Sequence, residues 1–131
     1  MMKTNMLLFL CLFTITAIFT TCKKDDAKTY SIEGTWTGKF GFDSLTPSTN
    51  WSFKIIPGSL MVFAGNTIQD TAMGTWSLTG TTFSGTYTYL LGGTYSVTAA
   101  FDNNTGKLTN GTWGVGTASS GGGTWYMDRV N

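Results

Sequence analysis

Asp43 and Asp70 are the side chains of this 131-residue sequence that come closest to a catalytic pair. Two carboxylates held about 5 to 9 Å apart can cleave a glycosidic bond, one as acid and the other as base or nucleophile. Aspartates between strands more often accept backbone hydrogen bonds in turns. We therefore interpret both as turn residues and predict that the protein is not an enzyme.

Other catalytic and metal-binding signatures are missing from the sequence. It has no histidine, and its two cysteines are Cys11 and Cys22. Zinc and copper sites rely on imidazole and thiolate ligands, and the acidic residues beyond position 30 are scattered singly. The sequence also lacks a Gly-X-Ser-X-Gly elbow and a phosphate-binding loop. We expect no metal and no cofactor.

Cys22 is the residue whose surroundings predict a modification. It follows Lys3 and an apolar stretch at 6–19, which is shorter than the roughly 20 residues of a membrane-spanning helix and is typical of a signal peptide. Residues 18–22, Ile-Phe-Thr-Thr-Cys, resemble the lipobox of bacterial lipoproteins, in a form similar to that of Bacteroidetes. The resemblance implies cleavage before Cys22 and a palmitate-bearing lipid on its thiol. The alternative is an ordinary secreted protein with Cys22 as an incidental thiol.

The charged residues 23–26, Lys-Lys-Asp-Asp, resemble the signal that exports Bacteroidetes lipoproteins to the outer face of the outer membrane. This implies a lipid-anchored protein at the cell surface, with a periplasm-facing position as the alternative. We thus expect a signal peptide at 1–21, a lipidated tether at 22–29 and one domain at 30–131. From Cys22 onward acidic and basic residues balance, so no basic surface for nucleic acid is expected.

Gly-Thr-aromatic triplets recur through the predicted domain. In a strand the glycine and the aromatic residue lie on one face and the threonine on the other. Aromatics then point inward, and an inward glycine leaves room for a large ring or permits a bend. The triplets begin at Gly34, Gly74, Gly85, Gly93, Gly111 and Gly123.

Alternation of apolar and polar residues predicts eight strands joined by short connections. Turns are expected at Pro57-Gly58, at Gly80 and at 102–106, and a change of phase after Leu108 predicts a bulge near Asn110. This pattern favours an all-β, eight-stranded antiparallel up-and-down barrel, with a two-sheet sandwich as the alternative. The predicted strands are 31–42, 50–56, 59–64, 72–79, 82–90, 93–101, a seventh after the 102–106 turn, and 123–130.

Gly34-Thr35-Trp36 on the first strand resembles the Gly-X-Trp motif of lipocalins and other calycins. The resemblance implies that Trp36 plugs the closed end of the barrel and that Arg129, on the last strand, packs over its indole as a cation. The chain differs from lipocalins in lacking a C-terminal helical pattern. None of the biotin-contacting residues of avidins, which are also calycins, can be assigned to it.

An up-and-down barrel places the predicted tight turns and both termini at one end. The longer connections, 43–49, 65–71, 91–92 and 114–122, lie at the other end, pointing away from the membrane if Cys22 is lipidated. A ligand mouth is expected there. Inward aromatic residues near this mouth are the predicted ligand-binding residues: Trp51, Tyr87, Tyr89, Tyr95, Trp113 and Trp125.

Two functions remain open for the mouth. The first is a binding module for a small apolar or saccharide ligand, because aromatic rings bury apolar surface and stack on planar groups. The second is a structural envelope protein with a filled barrel, which would contact a protein partner through its outer face or loops. An eight-stranded barrel has an interior that side chains alone can fill.

Overall fold

The structure is a computed structural model that describes residues 27–131. Within these residues eight antiparallel strands pair in sequence order, and β8 returns to pair with β1, which closes the barrel. The predicted up-and-down barrel is confirmed over the sandwich. The strands are β1 (Gly34–Phe40), β2 (Thr49–Ile56), β3 (Ser59–Phe63), β4 (Thr71–Thr79), β5 (Thr82–Tyr89), β6 (Thr94–Asp102), β7 (Lys107–Val115) and β8 (Gly123–Arg129).

The predictions for the N-terminal segment concern residues outside the described part of the chain. These are the signal peptide at 1–21, lipidation of Cys22 and most of the 22–29 tether. The described chain reaches the barrel through Tyr30, whose N–H donates to the carbonyl of Asn103 in the turn between β6 and β7. Tyr30 therefore joins the barrel at its closed end.

The inward-facing side chains, at alternate positions of each strand, fill the interior of the barrel below the mouth. On β2, Trp51, Phe53 and Ile55 are buried while Lys54 is exposed. Phe53 and Phe83 from opposite walls approach with ring centroids 6.3 Å apart. Burying a large apolar side chain stabilises a fold by about 1.5–3 kcal/mol, so the core holds this barrel together without a disulfide in residues 27–131.

The glycines of the triplets provide the close contacts predicted for them. A Cβ built on Gly111 would lie 2.5 Å from the indole of Trp125. A Cβ built on Gly74 would lie 1.8 Å from the carbonyl oxygen of Thr86 on the neighbouring strand. Gly111 thus makes room for a ring, and Gly74 lets the backbones of two neighbouring strands approach closely.

Tight turns cluster at the closed end as predicted. Gly58 and Gly80 have positive φ angles of 69° and 60°, which glycine adopts at little steric cost. The bulge is also confirmed. Asn110 has a φ of 51°, and the pairing of β7 with β8 shifts register between Leu108 and Gly111.

The mouth differs from the prediction in two connections. Strand β1 ends at Phe40, two residues early, because Asp43 turns the chain with a φ of 53° and donates its N–H to Gly122. The connection between β3 and β4 contains a short 3-10 turn, Ile68–Asp70. Its signal was the Thr67-X-X-Asp70 spacing. The Asp70 carboxylate accepts from the backbone N–H of Thr67, and the backbone N–H of Asp70 donates to the carbonyl of Thr67.

All strand edges are paired within 34–129, and the core comes from these residues together with Ile32. The barrel formed by residues 27–131 is therefore closed in its strand pairing and contains its own core. None of the described residues forms a helix long and apolar enough to cross a membrane.

Candidate functional site

A cavity of about 200 Å³ opens at the mouth of the barrel. Every side chain that lines it is aromatic, and we call it the aromatic cup. It is larger than an apolar cavity of about 150 Å³ that holds benzene and smaller than the roughly 300–1,000 Å³ of drug-sized sites. The cup therefore suits one ring-sized group. Its lining residues are Phe40, Phe42, Trp51, Tyr87, Tyr89, Tyr95 and Trp113.

Neighbouring strands bring the three tyrosines together. Tyr87 and Tyr89 are two residues apart on β5, so both point inward, and Tyr95 on β6 pairs directly with Tyr87. The ring of Tyr89 stands at 84° to Tyr87 and at 80° to Tyr95, with both centroids 5.8 Å away. The tyrosines thus form one wall whose rings differ in orientation.

Trp113 on β7 continues the cup wall beside Tyr95, with ring centroids 6.0 Å apart, and is fixed on two sides. Its indole Nε1 donates to the carbonyl of Gly41 at 2.9 Å. A Cβ on Gly122 would lie 2.4 Å from its ring, so the glycine-rich connection lies flat against the indole. Phe40 and Phe42 meet it edge-on, both at 87°. This wall is therefore in position before any ligand enters.

Trp51 joins the cup to the core. It is 5% exposed and packs against Phe40 at 4.9 Å and Phe53 at 4.7 Å between ring centroids. Its indole Nε1 is buried and has no acceptor among residues 27–131. An unpaired buried donor costs about 1–3 kcal/mol, so Trp51 is held in place by its packing and not by a hydrogen bond.

Trp125 lies below the cup and does not line it. It is 2% exposed, contacts Trp51 at 5.4 Å between ring centroids and donates from Nε1 to the carbonyl of Thr112. The structure thus brings five of the six predicted ligand-binding residues together at the cup and places Trp125 in the core.

Trp36 and Arg129 are neighbours at the closed end, as register partners on β1 and β8. Trp36 is fully buried and donates from Nε1 to the carbonyl of Ile32. The expected stacking of the guanidinium on the indole stays a prediction. The Arg129 guanidinium lies against Gly34 and donates to the carbonyl of Glu33 at 2.9 Å, and the cation–π contact found in residues 27–131 is that of Lys28 over Tyr30.

Large apolar side chains surround the cup, and we call them the apolar rim. They come from the four connections at the mouth or the strand ends beside them, and each is more than half exposed. Exposed apolar residues gathered in one place mark an interaction site. The rim consists of Phe42, Leu45, Ile68, Leu90, Leu91 and Val115.

Charge at the mouth comes from the two aspartates. Asp43 and Asp70 lie in separate connections at this end. The hydroxyl and then the backbone N–H of Thr67 donate to Asp70 and lower the pKa of its carboxyl. In the cup, burial and the neighbouring tyrosines raise the pKa of Tyr87. Asp70 is therefore ionised and Tyr87 protonated at neutral pH.

Sequence reasoning missed Phe40 and Phe42 as cup residues and missed the rim. Phe40 and Phe42 are inward positions of the predicted first strand, which was a usable signal. The apolar rim had no signal in the sequence, since isolated apolar residues in loops are common. They indicate an interaction site only when the fold brings them close together. Among residues 27–131 no acidic cluster able to hold a metal ion occurs.

The fold and the cup define a class of protein: a small, closed up-and-down barrel, consistent with calycin architecture, with an aromatic cavity at its open end. Comparisons of this chain with protein-family models, with curated proteins and with solved structures give no match.

Proposed function

We propose that this protein is a lipid-anchored outer-membrane binding module that takes a small, largely apolar ligand into the aromatic cup. The cavity lined entirely by aromatic side chains is the observation that carries the proposal. Binding sites are typically concave, mostly apolar and formed in advance. The ring packing of Trp113 and the tyrosines supplies that preorganisation.

The apolar rim supports the same role. A side chain such as Leu91, which is 79% exposed, adds apolar surface next to the cup. A ligand longer than one ring would bury this surface as well, at about 25 cal/mol per Å². The cup accommodates the end of the ligand, and the rim contacts the part that remains outside.

Lipidation of Cys22 would hold the barrel by its closed end. The described chain begins at that end, where Tyr30 bonds to Asn103, so the mouth would face away from the membrane. Cells grown with labelled palmitate are expected to label the wild-type protein and not a Cys22→Ala variant. Protease added to intact cells is expected to degrade the anchored protein, as surface exposure requires. Label on the Cys22→Ala variant would contradict the anchor.

Native mass spectrometry tests the binding role. The barrel, residues 27–131, is incubated with an organic extract of the cell envelope, and we expect an added mass on the wild type. Tyr89→Ala removes one of the three tyrosines that line the cup and is expected to lose the added mass while staying folded. Tyr126→Ala is the matched control, because Tyr126 is a 41% exposed aromatic residue of β8 that does not line the cup. An added mass that survives in Tyr89→Ala and disappears in Tyr126→Ala would contradict the cup as the site.

The rim also favours a second candidate, an envelope protein that binds a protein partner through its mouth. This role predicts that the barrel carries no small ligand. Crosslinking from intact cells would then capture one partner, and the capture would be lost when Leu90 and Leu91 are both replaced by serine. Loss of an extract-derived mass in the same double variant would instead assign the rim to ligand binding.

A further inference from the structure

The walls of the aromatic cup present π surfaces in several directions. Trp113 is perpendicular to Phe40, and Tyr89 is nearly perpendicular to both Tyr87 and Tyr95. Rings at right angles cannot all stack on one flat ligand. They can surround a compact, rounded group, with some faces turned toward it. Ring faces carry negative potential and attract cations, most of all quaternary ammonium groups.

The formal charges at the mouth are negative, like the potential of the ring faces. The connections 41–48, 64–70, 90–93 and 116–122 contain Asp43 and Asp70 and no lysine or arginine. The basic residue nearest in sequence is Lys39, which is exposed on the outer wall beside Asn50 and Tyr126 and does not line the cup. The mouth therefore attracts cations and repels anions.

The interior of the cup penalises negative charge as well. Burial first, then Tyr95 and Asp70, raise the pKa of Tyr89, which means that an anion at this position is disfavoured relative to the neutral hydroxyl. Asp70 keeps its own charge because Thr67 donates two hydrogen bonds to it. The cup is thus a neutral aromatic cage below an acidic edge.

From this arrangement we infer that the group bound in the cup is a quaternary ammonium or similar soft organic cation, with no anionic group next to it. The inference rests on the binding role proposed above and names the ligand class. A trimethylammonium group is close to benzene in size and has an apolar methyl surface, so it fits the cavity. A primary ammonium is more strongly hydrated and would find no carboxylate among the seven lining side chains.

Isothermal titration of the barrel with choline and with 3,3-dimethyl-1-butanol tests the inference. The two molecules have the same shape, but the second replaces the charged nitrogen by carbon. We expect choline to bind about thirtyfold more tightly than the neutral compound, since a desolvated cation–π contact contributes about 2 kcal/mol. Phosphocholine is expected to bind more weakly than choline. Equal affinity for choline and its neutral isostere would overturn the inference and leave the binding role standing.

Two substitutions of one residue separate π attraction from simple apolar contact. Tyr95→Phe preserves a ring face and Tyr95→Leu removes it, while both keep an apolar side chain at the partly exposed edge of the cup. We expect the affinity for choline to be about tenfold lower in Tyr95→Leu than in Tyr95→Phe. The affinity for the neutral isostere is expected to differ much less. Parallel losses for both ligands would contradict the inference.

Removal of one carboxylate at each end of the barrel tests the charge argument. Asp70→Asn is expected to weaken choline binding about threefold, within the range of exposed ion pairs. Asp102→Asn is the control, since Asp102 also accepts backbone N–H groups in a turn but lies at the closed end. An Asp102→Asn loss equal to that of Asp70→Asn would overturn the electrostatic part. If choline and an envelope extract both fail to bind, the binding role itself fails.

Discussion

Trp125→Ala is expected to lower the free energy of unfolding by about 3–5 kcal/mol, the usual cost of removing a buried tryptophan. The indole is 2% exposed and lies between Trp51, with ring centroids 5.4 Å apart, and Phe53, at 5.3 Å. The substitution would also leave the carbonyl of Thr112 without its indole donor. Because the stability of a small domain is typically about 5–15 kcal/mol, this variant would lose a large fraction of it.

Urea titration followed by circular dichroism measures the effect. Tyr89→Ala is the matched control, because Tyr89 is only partly buried and contacts the other two tyrosines of the cup. We expect it to cost no more than about 1–2 kcal/mol. A Trp125→Ala variant as stable as wild type would show that Trp125 is not a core residue.

Gly74→Ala is the second substitution with a large expected effect. The new methyl carbon would lie 1.8 Å from the carbonyl oxygen of Thr86 and 2.6 Å from the Cα of Tyr87. Both are backbone atoms, and β4 and β5 are paired at these positions. The clash can therefore be relieved only if the two strands move apart. We expect a loss of at least about 3 kcal/mol, in the range of severe overpacking.

Gly80→Ala provides the comparison for this prediction. Gly80 has a positive φ of 60°, and a Cβ there would meet no atom within 4 Å. Its cost is therefore conformational only, about 1–2 kcal/mol. Thermal unfolding of both variants should give a clearly lower midpoint for Gly74→Ala. Equal midpoints would contradict the steric account of the glycine in this triplet.

Period-two alternation made the barrel predictable from the sequence. A strand with one buried face must alternate between inward apolar and outward polar residues. The aromatic residues of the Gly-Thr-aromatic triplets mark the inward positions, from Trp36 on the first strand to Trp125 on the last. Even the bulge at Asn110 was visible, because it moves the inward phase by one residue. The topology followed from the short connections, which allow consecutive strands to pair.

The position of a side chain along the barrel axis was harder to predict than the face of the sheet on which it lies. Alternation says that Trp125 points inward, but whether it lines the cup depends on strand stagger and on the neighbouring ring of Trp51. Arg129 shows a similar limit. Its position beside Trp36 followed from the pairing of the first and last strands, whereas alternation does not predict that its guanidinium donates to the carbonyl of Glu33.

The most direct test of the aromatic cup as a ligand site is nuclear magnetic resonance of the five tryptophan indole N–H groups in the isotope-labelled barrel, titrated with an organic extract of the cell envelope. Trp113 and Trp51 line the cup, whereas Trp36 and Trp76 donate to carbonyls near the closed end. The proposal predicts shifts for Trp113 and Trp51 with Trp36 and Trp76 unchanged. Shifts confined to Trp36 and Trp76, or no shift at any indole, would contradict it.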